Sequence, residues 1–322
     1  MNPWLTLALI AAVLAGAAVL IAWLCFRMAF YTSPKDRPDG VSIILPEGKI
    51  YEPYYPAMTD WVREARALPH EEVFITSFDG LKLRGNFYEF APGAPIELMV
   101  HGYRGTAERD LCGGVQRCFS IGRSCLLIDQ RGAGGSEGSV ITFGINERRD
   151  CLAWVDFLIR RFGPEIPIIL TGISMGASTV MMTAGEKLPD NVVGIIADCG
   201  FSSAREIICK VIAQLKLPCR LAYPFVKLGA RLFGHFDLEE TSAVEAMSRC
   251  RIPVFFIHGE ADDFVPCSMS RACYDACAAP KYLFTVPGAG HGLGYLADLQ
   301  GYVRELTVFS RANGIPIDPQ TE

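Results

Sequence analysis

The chain has 322 residues, half of them hydrophobic, and a formal net charge of −5. That length holds one large α/β domain or two small ones, and the acidic balance argues against nucleic acid as a partner. There is no zinc-type C-x-x-C pair, no H-E-x-x-H, no Walker A loop and no strand-linked G-x-G-x-x-G, so metal and nucleotide chemistry are not expected and no cofactor is needed.

Residues 1 to 26 carry no charged side chain, and residues 4 to 26 are apolar apart from Thr6. A run of that length crosses about 30 Å of hydrocarbon, so residues 1–31 read as an N-terminal transmembrane anchor. A cleaved signal peptide is the competing account, with small residues at positions 15 to 18 as its cleavage site. Its charged leading region is missing, however, and the apolar run continues past those residues. Arg27, Lys35 and Arg37 follow the span and no basic residue precedes it, which by the positive-inside rule puts the body of the chain in the cytoplasm, although Asp36 and Asp39 dilute the flank. Twelve scattered cysteines point the same way, reading as small buried hydrophobes in a reducing compartment rather than as a disulfide framework.

Residues 32–69 read as a linker and a short amphipathic helix, with Met58, Trp61, Val62, Ala65 and Leu68 at helical spacing. Segments 73–78 and 81–90 flank Asp79-Gly80, a hairpin signal. Strands over 97–101, 124–129, 166–173, 192–198, 253–258 and 282–286 then alternate with helices over 111–121, 145–162, 268–278 and 295–312. Such alternation predicts a mostly parallel central sheet with helices on both faces over residues 70–315, and ligands beyond the C-terminal ends of its strands.

The strand ending at Ile173 breaks into Gly172-Ile173-Ser174-Met175-Gly176 and turns helical. A serine in a strand-to-helix turn is held in strained geometry with its hydroxyl exposed, and the two glycines leave room for the elements to pass. Ser174 is therefore the candidate nucleophile. The N–H of Met175, at the first turn of the helix, is a candidate oxyanion donor. A second is the N–H of Tyr103, in the His101-Gly102 turn that ends an earlier strand. Of five histidines, His70 precedes the sheet, His101 sits in that turn, His235 lies in an insertion and His258 ends a strand. His291, in a glycine loop after the last strand, remains as the base. Its acid partner is read as Asp262, with Asp198 as second choice and Asp263 and Glu260 as solvated loop acids.

Together with Asp129-Gln130-Arg131-Gly132, His258-Gly259-Glu260-Ala261-Asp262 and Gly290-His291-Gly292, these motifs resemble the α/β-hydrolase superfamily over roughly residues 70 to 312. Within it the chain looks like the serine aminopeptidase-like hydrolases that carry an N-terminal membrane anchor. The resemblance implies an α/β-hydrolase fold, a triad of Ser174, Asp262 and His291, and oxyanion donors at Tyr103 and Met175. Gln130 departs from the residue many relatives carry before Arg-Gly, a change not expected to touch the chemistry.

Residues 200–241 interrupt the strand rhythm and are expected to form a small helical cap, helical around 204–217 and 221–233. Arg205, Lys210, Lys216, Arg220, Lys227 and Arg231 face only Glu206 inside those helices, although Asp237, Glu239 and Glu240 follow them. Two accounts compete: a solvated basic face, or a second membrane contact through anionic headgroups that admits an acyl chain to Ser174. The expected function is a membrane-anchored serine hydrolase that cleaves an ester or thioester of a small-molecule or acyl-lipid substrate. The rivals are a peptidase acting on short peptides and a non-catalytic binding protein on the same fold.

Overall fold

Asn2 accepts the Trp4 N–H at 3.1 Å and Pro3 fills the first turn, so the apolar N-terminal run begins as a helix, α1 (Pro3–Ala29). The computed structural model describes residues 2–37 and 40–317, so Met1, Asp39 of the anchor's flank and residues 318–322 lie outside the described residues. Helix α1 is long and apolar enough to cross a membrane, by length and composition. Its first turns are bare, but Ala22 and Phe26 are buried against the domain and Phe30 beyond it is fully buried.

The segment read as a linker is largely exposed but is tied to the body at several points. The Tyr51 hydroxyl donates to the His291 carbonyl at 3.0 Å, and Tyr55 donates to the Pro46 carbonyl at 2.9 Å. Helix α2 (Tyr55–Ala67) buries Met58, Val62 and Ala65, as its spacing predicts. A hairpin of β1 (Glu71–Thr76) and β2 (Lys82–Tyr88) follows, its turn closed by Ser77 donating to Asp79 at 2.6 Å.

Thereafter strand and helix alternate: β3 (Ile96–Val100), α3 (Ala107–Ser120), β4 (Ser124–Ile128), α4 (Glu147–Phe162), β5 (Ile168–Ile173) and α5 (Met175–Ala184). Then come β6 (Val192–Asp198), α6 (Ala204–Gln214), α7 (Cys219–Phe233), α8 (Ala243–Arg249), β7 (Val254–Gly259), α9 (Cys267–Ala276), β8 (Lys281–Val286), α10 (Gly294–Ala297) and α11 (Leu299–Ala312). The eight described strands form one sheet in the order β1-β2-β4-β3-β5-β6-β7-β8, antiparallel at β1/β2 and β2/β4 and parallel from β4 to β8. This is the mostly parallel, doubly covered sheet the alternation predicts. Strands β3 and β4 are buried at every residue, as strands covered on both faces must be.

Burial exposes one demanding feature that alternation could not reveal. Glu97, mid-strand in β3, is fully buried and holds Arg117 at 2.6 Å, Arg123 at 2.6 Å and the Thr171 hydroxyl at 2.9 Å. Burial would raise this carboxyl, but the charges and hydrogen bonds of Arg117 and Arg123 outweigh the desolvation and keep its pKa low, at about 2.

Three expectations need correction. The last helix is broken at Asp298, whose side chain accepts the Gly301 N–H at 2.8 Å and so starts a new helix. The cysteines are not all reduced: Cys209 and Cys219 form a disulfide across the α6–α7 turn, because a helix hairpin brings their Cα atoms to 5.3 Å although they are 10 residues apart. The other ten cysteines are free, and with a disulfide present the cysteines do not indicate a reducing compartment. The cap is also less basic than its helices suggest. Lys227 pairs with Glu239, Arg231 with Asp237 at 2.6 Å, and Lys210 donates to the carbonyls of Asp263 and Phe264. Those acids follow the helices in sequence and fold back onto them.

Candidate active site

Strand β5 feeds α5 through a turn in which Ser174 takes φ +55° and ψ −118°, a conformation that side chains rarely adopt and that costs on the order of 1–3 kcal/mol. The strain is tolerated because the flanks are bare. A Cβ on Gly172 would lie 2.2 Å from the Gly176 carbonyl oxygen, and one on Gly176 would lie 2.0 Å from that of Val100. The Ser174 N–H donates to the Asp198 carbonyl at 2.8 Å, which fixes the turn to the end of β6.

His291 reaches this serine from the loop after β8. Its Nε2 lies 2.9 Å from Ser174 Oγ and its Nδ1 lies 2.7 Å from Asp262 Oδ2. An Nδ1–H donated to the carboxylate leaves Nε2 as the acceptor for the serine hydroxyl. Asp262, in the loop after β7, is over-determined: Oδ1 accepts the N–H groups of Phe264 at 3.0 Å and Val265 at 2.8 Å. His258 Nε2 stands 3.2 Å from Oδ2. Burial alone would raise this carboxyl, but the hydrogen bonds from His258 and His291 outweigh it and hold Asp262 well below the usual carboxylate range. It stays ionised wherever an imidazolium needs it.

Of the other candidates, Asp198 is buried beside the same histidines with Oδ1 unpartnered, and burial pushes it up to about 6. Asp263 and Glu260 are exposed. His258 is buried, bonded to Ser270 at 2.7 Å and to the Val265 carbonyl at 2.8 Å. His101 is buried too, and desolvation lowers its pKa. Its Nδ1 bonds the Gly102 carbonyl at 2.7 Å and its Nε2 accepts the Gln130 N–H at 3.0 Å. Gln130 also donates its side-chain amide to the His101 carbonyl at 2.6 Å, so this departure braces the turn next to Ser174.

That turn lies against Ser174: a Cβ on Gly102 would be 3.5 Å from the serine Cβ. The Gly102 N–H is taken by Asp110 at 3.0 Å. Among the described residues no protein acceptor meets the N–H of Tyr103 or that of Met175, so both are free for a developing oxyanion. Cys199, Asp262 and His291 also bring ligand atoms within 4.8 Å of one another. Asp262 and His291 are bonded to each other, and His291 to Ser174, while Cys199 is buried beside them.

Two cavities meet at Ser174. One, of about 500 Å³, is lined by Tyr51, Trp61, Arg109, Asp110, Tyr295 and His291 among others. The other, of about 270 Å³, is almost wholly apolar and runs beneath the cap. Tyr51 and Trp61 went unread as site residues; the signal available was the cluster of Tyr51, Tyr54 and Tyr55, too aromatic for a solvated linker.

Comparison with known proteins agrees with this fold. The family model described as "alpha/beta hydrolase fold" matches residues 98–221. The protein YqkD of Bacillus subtilis, itself uncharacterised, is 28% identical over 192 residues, which span 59% of this chain and 63% of that relative's own length. Human mitochondrial palmitoyl-protein thioesterase ABHD10 is 27% identical over 174 residues, 49% of this chain and 53% of its own. Among solved structures, the esterase Pf2001 of Pyrococcus furiosus superposes with a TM-score of 0.62 at 21% identity, covering 78% of this chain and 93% of the esterase. With the sheet order, the strained serine turn and the matched segment in agreement, the chain has the α/β-hydrolase fold.

Proposed function

We propose that the protein is a membrane-anchored serine hydrolase that cleaves an acyl ester or thioester through an acyl-enzyme. The observation that carries this reading is the unbroken line of hydrogen bonds from Ser174 Oγ through His291 to Asp262. Ser174 Oγ attacks the carbonyl carbon as its proton passes to His291 Nε2. Asp262 stabilises the imidazolium, and the N–H groups of Met175 and Tyr103 receive the negative oxygen. The bond from carbon to the leaving oxygen or sulfur breaks, and His291 returns the proton to it. Water, deprotonated by the same histidine, then releases the acid and restores Ser174.

An esterase and a palmitoyl-protein thioesterase among the similar proteins support an ester or thioester as the substrate. The apolar α1 supports the anchor. On this reading residues 1–31 anchor the chain, 32–69 link and brace it, and 70–315 form the hydrolase domain with its cap over 200–241.

The test is steady-state hydrolysis of p-nitrophenyl esters and S-acyl thioesters by the full chain in detergent, beside aminoacyl p-nitroanilides. Turnover of the esters or thioesters with a burst of product, absent in Ser174→Ala, is expected. Turnover confined to anilides with a free amine would replace this reading with the peptidase, and no turnover of any substrate by folded protein would favour a binding function.

A further inference from the structure

The two cavities at Ser174 differ in chemistry, and α1 walls one of them. The smaller is lined by Cys25, Met28 and Ala29 from the last turns of α1, by Ile208 and Ile212 from α6, and by Val226 from α7. Helix α1 is docked here rather than merely tethered. Gly229 lets α7 cross it so closely that a Cβ would lie 2.4 Å from the Ala22 carbonyl oxygen. The rings of Phe26 and Phe233 stand 5.9 Å apart, and Phe30 is packed between Phe143 and Phe236.

The rim of this cavity is exposed and apolar. Met28, Leu215 and Leu217 all line it, yet they are 67%, 57% and 51% exposed. Leu221, beside them at the start of α7, is 69% exposed. Lys216 and Arg220 interleave with these leucines, and neither has an acidic partner among the described residues. Such a mixture of bare leucines and free cations suits the boundary between acyl chains and anionic headgroups.

The position of α1 sets the level of that boundary. Leu5, Leu7, Ile10, Val13 and Leu14 are bare, which suits a helix surrounded by hydrocarbon. Arg27 follows one turn from the end with its guanidinium 3.8 Å from the centre of the Tyr31 ring, at the place where a span meets headgroups. Met28 is the next residue, so the rim lies at the membrane surface.

We infer that this cavity holds the acyl chain of the substrate, that the anchor helix is one of its walls, and that the chain enters from the bilayer past Met28, Leu215 and Leu217. The inference rests on the serine-hydrolase reading above and narrows its substrate to a bilayer-resident long-chain acyl ester or thioester. The wider cavity, with Arg109 and Asp110 in its wall, then takes the polar leaving group.

The direct test places the full-length protein in phospholipid nanodiscs and treats it with a fluorophosphonate that carries a palmitoyl-length chain ending in a diazirine. After irradiation, crosslinked peptides are mapped by mass spectrometry. Crosslinks to residues 25–29 and 208–226 are expected. Crosslinks confined to residues 46–61 or 295–296 would overturn the inference while leaving the nucleophile in place, as would labelling by a short-chain fluorophosphonate alone. Failure of both probes to label Ser174 would remove the serine reading, and this inference with it. A second measurement uses Ala222→Trp, which fills the cavity from α7. The ratio of palmitoyl to acetyl ester turnover should fall at least tenfold, and an unchanged ratio would contradict the assignment.

Discussion

The Tyr103 hydroxyl donates to the backbone carbonyl of Ala29 at 2.9 Å, fastening the turn beside Ser174 to the last turn of the N-terminal helix. Arg104 doubles the tie by donating to the carbonyls of Met28 at 2.8 Å and Tyr31 at 3.2 Å. These carbonyls belong to a helix end that has no intrahelical donor to offer them. Tyr103→Phe keeps the ring against Phe143 but removes a bond worth about 1 kcal/mol. The expected result is roughly a fivefold loss in kcat with KM little changed, measured on a short-chain ester. Unaltered kcat would mean that α1 does not position the turn.

The two buried acids near His291 should separate cleanly. Asp262→Asn removes the partner that fixes the Nδ1–H tautomer, and a loss of about 10⁴ in kcat is expected from that change. Asp198→Asn and Asp263→Asn should each cost less than about tenfold. Comparable damage from Asp198→Asn and Asp262→Asn would undo the choice of acid.

Asp198 also carries a pH signature. Its folded pKa, pushed up to about 6 by burial, lies above its ordinary value of 3.8. The folded state therefore keeps the proton longer than the unfolded chain does. The penalty of an ionised buried carboxylate is absent below pH ~4 and fully present above pH ~6, so this group lowers stability as pH rises through that window. Asp262 acts in the opposite sense, its stabilisation being lost only in more acid solution. Asp198→Asn should thus gain in Tm relative to wild type between pH ~4 and ~6.5. A Tm difference independent of pH would show that Asp198 does not titrate there.

Glu97 is a structural counterpart, holding two buried arginines at a distance from the chemistry. Removing one member of a buried charge network leaves the others unpaired, at a cost of about 3–5 kcal/mol. Glu97→Ala should lower Tm on the order of 10 °C, read by thermal unfolding in detergent, and a drop of only a degree or two would mean that Arg117 and Arg123 find other partners.

Much of this architecture was legible because its signals are local. Gly172, Ser174 and Gly176 announce a strained turn by composition alone. Asp262 and His291 each sit in a loop just past a strand, where a parallel sheet gathers its polar groups. What stayed hidden depends on contacts between distant residues. Nothing near Tyr51 in sequence says that it will bond the His291 carbonyl, and nothing near Cys209 says that a helix hairpin will deliver Cys219. The partly neutralised cap has the same cause, since Asp237 and Glu239 meet Arg231 and Lys227, which precede them, only once the chain after α7 folds back. Hydropathy describes α1 as a span but is silent on Gly229, whose missing side chain lets α1 become part of the site.

Ser174 is proposed as an activated nucleophile, and covalent labelling with a short fluorophosphonate reads that reactivity out at the residue itself. The full chain in detergent is treated with the probe and the adduct located by peptide mass spectrometry. One adduct is expected, on Ser174, absent in Ser174→Ala and slowed by several powers of ten in His291→Ala. Folded wild-type protein that stays unlabelled, or labelling that survives in Ser174→Ala, would contradict it.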